Sequence, residues 1–269
     1  MDYRNITDKS PAEDQIIASS PQKKLRLEND PAYALFVQGR DDACGDPDLF
    51  VEFAIELIMR AEAKTQKLAL YSSDRLSEAQ DFVLGDLDYD YLHSTPIGYY
   101  LRKLDPFGEK EWGWLGKEAA YMLWNMASVK LIDQTRSKEI YVIGNKNNKV
   151  SALWTLEVHC LKNNPYPEHF KLYDGVVTQW KDRRWLESAG NENLLDWLVL
   201  LDAHVSRPEC TYPPKIMKEH PLGEKGDSAL LPETLGRLRN VYIKTMKEAL
   251  PDFINVQQSQ HEAHLIFDP

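Results

Sequence analysis

Glu139-Ile140-Tyr141-Val142-Ile143-Gly144 changes the texture of this chain. The run is short, β-branched and aromatic, and it closes on a turn signal, which predicts a buried strand. Upstream the chain reads as helix. Between Trp112 and Gln134, Leu115, Ala119, Met122, Leu123, Met126, Val129 and Ile132 recur three and four residues apart and so share one buried face. Earlier still, Asp46-Pro47-Asp48 and Ser94-Thr95-Pro96 supply helix-start signals, and Gly85 closes a helix that begins near Leu76. Downstream, Trp154–Leu161 and Leu172–Trp180 predict strands, and Asn193–Leu201 and Pro232–Leu250 predict helices. Strand, strand and helix in this order predict an α/β half with a mainly parallel sheet.

The expected organisation has three parts. Residues 1–30 are polar, rich in Ser, Pro, Lys and Asp, without apolar periodicity, and are expected to form a flexible tail. Residues 31–135 are expected to form a helical lobe, and residues 136–269 an α/β lobe with a C-terminal helical extension. No internal repeat is evident.

Composition narrows the function classes. The chain has 269 residues, 43% of them hydrophobic and 28% charged, as in an ordinary globular protein able to bury a core. A formal net charge of −10 argues against general binding to nucleic acid or to an anionic membrane, both of which need a field of Lys and Arg. No apolar run approaches membrane-spanning length, and no secretory signal is visible. Three cysteines, Cys44, Cys160 and Cys210, lie far apart and form neither metal-ligand spacing nor an obvious disulfide framework. A soluble, cytoplasmic protein is the expectation, with a protein partner or an oligomer left open.

Common cofactor signatures are missing. Gly144-Asn145-Lys146-Asn147-Asn148-Lys149 follows a strand without the Gly-x-Gly-x-x-Gly fingerprint, and there is no Walker loop, no Gly-x-Ser-x-Gly elbow and no zinc-type pair of histidines. Three segments stand out instead. Leu92-His93-Ser94-Thr95-Pro96-Ile97-Gly98-Tyr99-Tyr100-Leu101 opens a helix; in Leu123-Trp124-Asn125-Met126-Ala127-Ser128, Trp124 and Ser128 share a helix face; Leu156-Glu157-Val158-His159-Cys160-Leu161 follows a strand and a polar loop.

In that order these segments resemble the ADP-ribosyl cyclase family, which includes the animal cyclases, the mammalian NAD-glycohydrolase ectoenzymes and some bacterial NAD-degrading toxins. The Glu157 segment matches the family's Val-Glu-Val-His-x-Leu-like context, Leu123-Trp124 with Ser128 matches its Phe-Trp-x-x-x-Ser helix, and Thr95, Gly98 and Leu101 fall at the end of its first motif. The resemblance spans about residues 68–217 and rests on order and spacing, because each motif is short.

The resemblance implies that the nicotinamide–ribose bond of NAD or NADP is cleaved, with NAD as substrate and no metal or bound cofactor. Glu157, Trp124 and His93 take the catalytic positions. Glu157 would stabilise the ribosyl oxocarbenium ion, as carboxylates do in glycoside hydrolysis. Trp124 would stack against the nicotinamide or ribose side. Ser128 and Ser151 sit where the family holds phosphate, Thr95 belongs to the first motif, and Tyr71 lies where the family carries a second Trp. His93 departs from the pattern, since the family has a Glu there, and so the balance of cyclisation and hydrolysis does not carry over.

Blander readings stand beside these. Glu157 is also read as a solvated strand-end carboxylate, Trp124 as a core residue, His93 as an ordinary residue before a helix, and His159 as a packed histidine that alternates with Glu157 along a strand. At the level of function, the alternatives are a non-catalytic nucleotide-binding or protein-interaction module on the same scaffold and a protein-modifying ADP-ribosyltransferase, for which a Glu-x-Glu element is lacking.

Overall fold

The structure, a computed structural model, describes residues 12–43, 46–104, 117–145, 151–189 and 230–250. Helices α1 (Ala12–Ser19), α2 (Pro21–Glu28), α3 (Tyr33–Ala43) and α4 (Pro47–Arg60) precede strand β1 (Leu68–Tyr71). Helices α5 (Leu76–Gly85), α6 (Pro96–Lys103) and α7 (Lys117–Gln134) lead to β2 (Glu139–Ile143). A π-helical turn (Leu153–Glu157) runs into α8 (Val158–Asn163), followed by β3 (His169–Tyr173), β4 (Thr178–Asp182), α9 (Arg184–Ser188) and α10 (Pro232–Ala249).

The four strands form one sheet in the order β1-β2-β3-β4. β1 pairs parallel with β2, and β2 with β3, while β4 returns antiparallel beside β3. The sheet is thus mainly parallel, as expected. Side chains alternate across it with period two. Leu68, Leu70, Ile140, Val142, Phe170 and Leu172 enter the main core, which also holds Ile17 of α1, Leu123 of α7 and Met246 of α10. Ala69, Tyr71 and Tyr141 enter a second cluster with Ile16 and Val83, so the β1–β2 side of the sheet is covered on both faces.

Four expectations need correction. Residues 12–30 are not a flexible tail. Ser20 caps α2 by accepting from Lys23 N, Pro21 stands in its first turn, and Ile16, Ile17 and Leu27 are buried. Two helices pay for their ordering with those apolar contacts and with buried ion pairs. Lys23 Nζ lies 2.5 Å from Asp90, Arg26 grips both Asp90 oxygens at 2.8 Å, and Thr65 Oγ1 donates to the same carboxylate at 2.8 Å. Burial would raise the Asp90 carboxyl, but the two cations outweigh it and hold it below the usual carboxylate range.

The boundary at 135/136 does not separate a helical lobe from an α/β one. β1 lies in the first half and pairs with β2 of the second, and the main core runs through both.

Trp154–Leu161 is helical, not a strand. Its apparent alternation carries no information, because Leu153, Trp154, Leu156, Glu157, Val158, His159, Cys160 and Leu161 are all buried, polar and apolar alike. In a helix, residues two apart lie on nearly opposite sides, so His159 does not share a face with Glu157.

Leu172–Trp180 is two strands. Asp174 Oδ1 accepts from Val176 N and Val177 N at 3.1 and 3.0 Å, and Gly175 at φ 95° supplies the left-handed residue the turn requires. The helices expected at Leu76, Pro96 and Pro232 are present, as is the described part of the one ending at Gln134; the helix expected at Asn193–Leu201 lies outside the described residues. Among the described residues no helix is long and apolar enough to cross a membrane.

Candidate functional site

Four segments bring the candidate residues together. The first is the 3-10 turn Leu92–Ser94 with the start of α6. Thr95 caps α6: its hydroxyl donates to Leu92 O at 2.6 Å and accepts from Gly98 N at 3.4 Å. Thr95 is fully buried and its hydroxyl makes this cap. Gly98 is needed for close approach, since a Cβ there would stand 1.9 Å from Leu92 O and 3.0 Å from His93 Cα. The tight turn holds His93 buried at 4% exposure.

His93 is surrounded by rings. Its centroid lies 4.8 Å from that of Trp124 on α7, 5.6 Å from Tyr91 and 6.4 Å from Tyr71 at the end of β1. Trp124 and Ser128 are one turn apart on α7, and the Ser128 hydroxyl donates to Glu157 Oε1. Tyr71, His93, Trp124, Ser128 and Glu157 therefore form one linked group drawn from β1, the 3-10 turn, α7 and the π-helical turn.

Glu157 is the chemically notable member. It is 7% exposed, and Oε2 has no hydrogen-bond partner among the described residues. Burial pushes its carboxyl up to about 7, with only the Ser128 hydroxyl opposing the rise. A buried carboxylate oxygen without a partner is costly, and such groups concentrate at functional sites. The π-helical turn that carries Glu157 is a rare conformation frequent at functional sites.

Ser151 is 3% exposed and opens that turn, its carbonyl accepting from Trp154 N at 3.1 Å. The loops after β1 and β2 are joined: Asn145 N donates to Ser72 Oγ at 3.0 Å, and Trp154 Nε1 donates to Asn145 O at 2.9 Å. Gly144 lets that indole approach the backbone closely, because a Cβ there would stand 2.6 Å from the Trp154 ring. The cluster thus borders the carboxyl ends of adjacent parallel strands, where α/β sheets commonly place ligands.

Sequence reasoning missed Glu13. This residue of α1 is 2% exposed, and its Oε1 accepts from Tyr91 Oη at 2.9 Å and Gln80 Nε2 at 3.1 Å and lies 3.4 Å from His93 Nδ1. Burial raises its carboxyl, but hydrogen bonding and charge from His93, with Tyr91, outweigh burial and bring it to about 2. The sequence did hold a signal for this region: Ser20-Pro21 repeats the N-cap-then-proline pattern of Asp46-Pro47 and Thr95-Pro96.

The chain matches no protein-family model, no curated protein and no solved structure. Among the described residues, no group of three or more His, Cys, Asp or Glu is arranged to hold a metal ion.

Proposed function

We propose that the protein cleaves the nicotinamide–ribose bond of NAD or NADP. The observation that carries the reading is Glu157: a buried carboxylate with one oxygen unpartnered and the other held by Ser128, which stands one helical turn from the Trp124 indole beside His93. As the C1′–N bond breaks, its electron pair leaves with neutral nicotinamide and positive charge develops on the ribose. The ionised Glu157 carboxylate stabilises that charge in a low-dielectric site. Trp124 offers an indole face for the departing ring. Water then adds to C1′ and gives ADP-ribose with loss of a proton, or the adenine ring adds and gives the cyclic product. The protein supplies the carboxylate and the indole, and the chemistry calls for no metal or bound cofactor. Incubation with NAD and chromatographic separation of nicotinamide, ADP-ribose and cyclic ADP-ribose tests the reading; nicotinamide release abolished by Glu157→Gln supports it, and turnover unchanged by that substitution sinks it.

One observation favours a non-catalytic nucleotide-binding module: at about pH 7 burial leaves half of the Glu157 population protonated, and a neutral carboxyl stabilises a cation poorly. A binding module raises its melting temperature with NAD while releasing no nicotinamide.

A further inference from the structure

Helix α1 brings two adjacent acids into the region of the first motif, and they do different things. Asp14 holds α6 from outside, with Lys103 Nζ at 2.6 Å and Tyr99 Oη at 3.1 Å. Glu13 points inward and is 2% exposed. Its Oε1 gathers Tyr91 Oη, Gln80 Nε2 and, at 3.4 Å, His93 Nδ1. Nδ1 makes no formed hydrogen bond among the described residues, and the Glu13 oxygen stands beside it at ion-pair distance. The aromatic rings beside His93 are Tyr91, Tyr71 and Trp124, and Glu13 is the carboxylate at ion-pair distance from it.

We propose that Glu13 is a positioning residue of the candidate site: it keeps the His93 proton on Nδ1 and the ring turned onto Trp124, so that Nε2 is the atom His93 presents to a bound ligand. A carboxylate facing one ring nitrogen selects the tautomer that donates to it and leaves the other nitrogen for recognition. A neutral Nε2 accepts a hydrogen bond; a protonated one donates. Either form suits a planar carboxamide, which carries both an N–H donor and a carbonyl acceptor. The ligand assignment rests on the function proposed above, while the Glu13–His93 pairing does not. It follows that α1 completes the site from a part of the chain about eighty residues away.

The test has two arms on the full chain. ¹⁵N NMR of the histidine side chains, assigned through His93→Gln, reads the protonation of each ring nitrogen without turnover. The expected result is a protonated Nδ1 in the wild type at every pH at which the protein is folded, lost from the neutral ring in Glu13→Gln. An unprotonated Nδ1 in the wild type overturns the pairing, whether or not the variant folds. In the second arm, Glu13→Gln is expected to raise KM for NAD roughly ten-fold, with kcat changed much less. Asp14→Asn loosens the same helix but leaves Glu13 in place, and is expected to lower the melting temperature with KM unchanged. An equal rise in KM from Asp14→Asn reduces Glu13 to helix docking and overturns the positioning role. If the wild type releases no nicotinamide, the proposed function fails and the NMR arm still decides the pairing.

Discussion

Ser128 donates its hydroxyl to Glu157 Oε1 across the contact between α7 and the π-helical turn, and this is the only hydrogen bond to that carboxyl among the described residues. One neutral donor cannot replace the hydration of a carboxylate, so burial dominates and the group titrates near 7. Reactivity and instability then share one origin.

Activity is expected to rise with pH through about 7. The ionised carboxylate is the form that stabilises an oxocarbenium ion, and its fraction grows as pH passes the raised value. A pH profile of kcat/KM for nicotinamide release checks this; a flat profile between pH 5.5 and 8.5 would contradict it.

Stability is expected to move the other way. The carboxyl binds its proton more tightly folded (about 7) than unfolded (4.5), so stability falls as pH rises from 4.5 through 7, by up to about 3 kcal/mol. Glu157→Gln removes that slope, and its urea midpoint is expected to exceed the wild-type one at pH 8 and to match it at pH 4.5. Glu13 acts in the opposite sense: its stabilisation is present above 4.5 and is lost as pH falls toward 2.

Ser128→Ala deletes the one bond that holds the Glu157 carboxyl down. The pH midpoint of activity is expected to move to higher pH, and the rate at pH 7 to fall about ten-fold, while the rate at high pH partly recovers. Equal loss at every pH would point to direct phosphate binding by Ser128 instead.

Asp90→Ala leaves Lys23, buried at 4% exposure, without its carboxylate, and exposes the α2 contact to failure. A loss of roughly 3–5 kcal/mol in urea unfolding is expected, because an unpaired buried charge remains. The double replacement Asp90→Leu, Lys23→Met is expected to recover much of it.

Gly98→Ala places a methyl against Leu92 O, a backbone atom with no room to yield. The first turn of α6 must move off the 3-10 turn that holds His93. A loss of up to about 3 kcal/mol is expected, together with a weakened His93–Trp124 contact read by tryptophan fluorescence.

Local signals were sufficient for the elements whose ends are set by capping. Asp46-Pro47 and Thr95-Pro96 mark helix starts because capping is written in neighbouring residues. The β2 strand was equally legible, and so were the residues of the candidate group: Tyr71, His93, Trp124, Ser128 and Glu157. Their being one group was not. The 3-10 turn, α7 and the π-helical turn are far apart in the chain, and only packing brings His93 onto Trp124 and Ser128 onto Glu157. Tertiary burial also decided what periodicity could not. A segment buried all round, as Leu156–Leu161 is, has no exposed face from which a period can be read. Residues 12–30 look polar because their charges are exposed in sequence, yet Glu13 and Lys23 lie inside, where Tyr91 and Asp90 from distant segments offset their loss of water. A charge reads as surface until its partner is known, and partners are supplied by the fold.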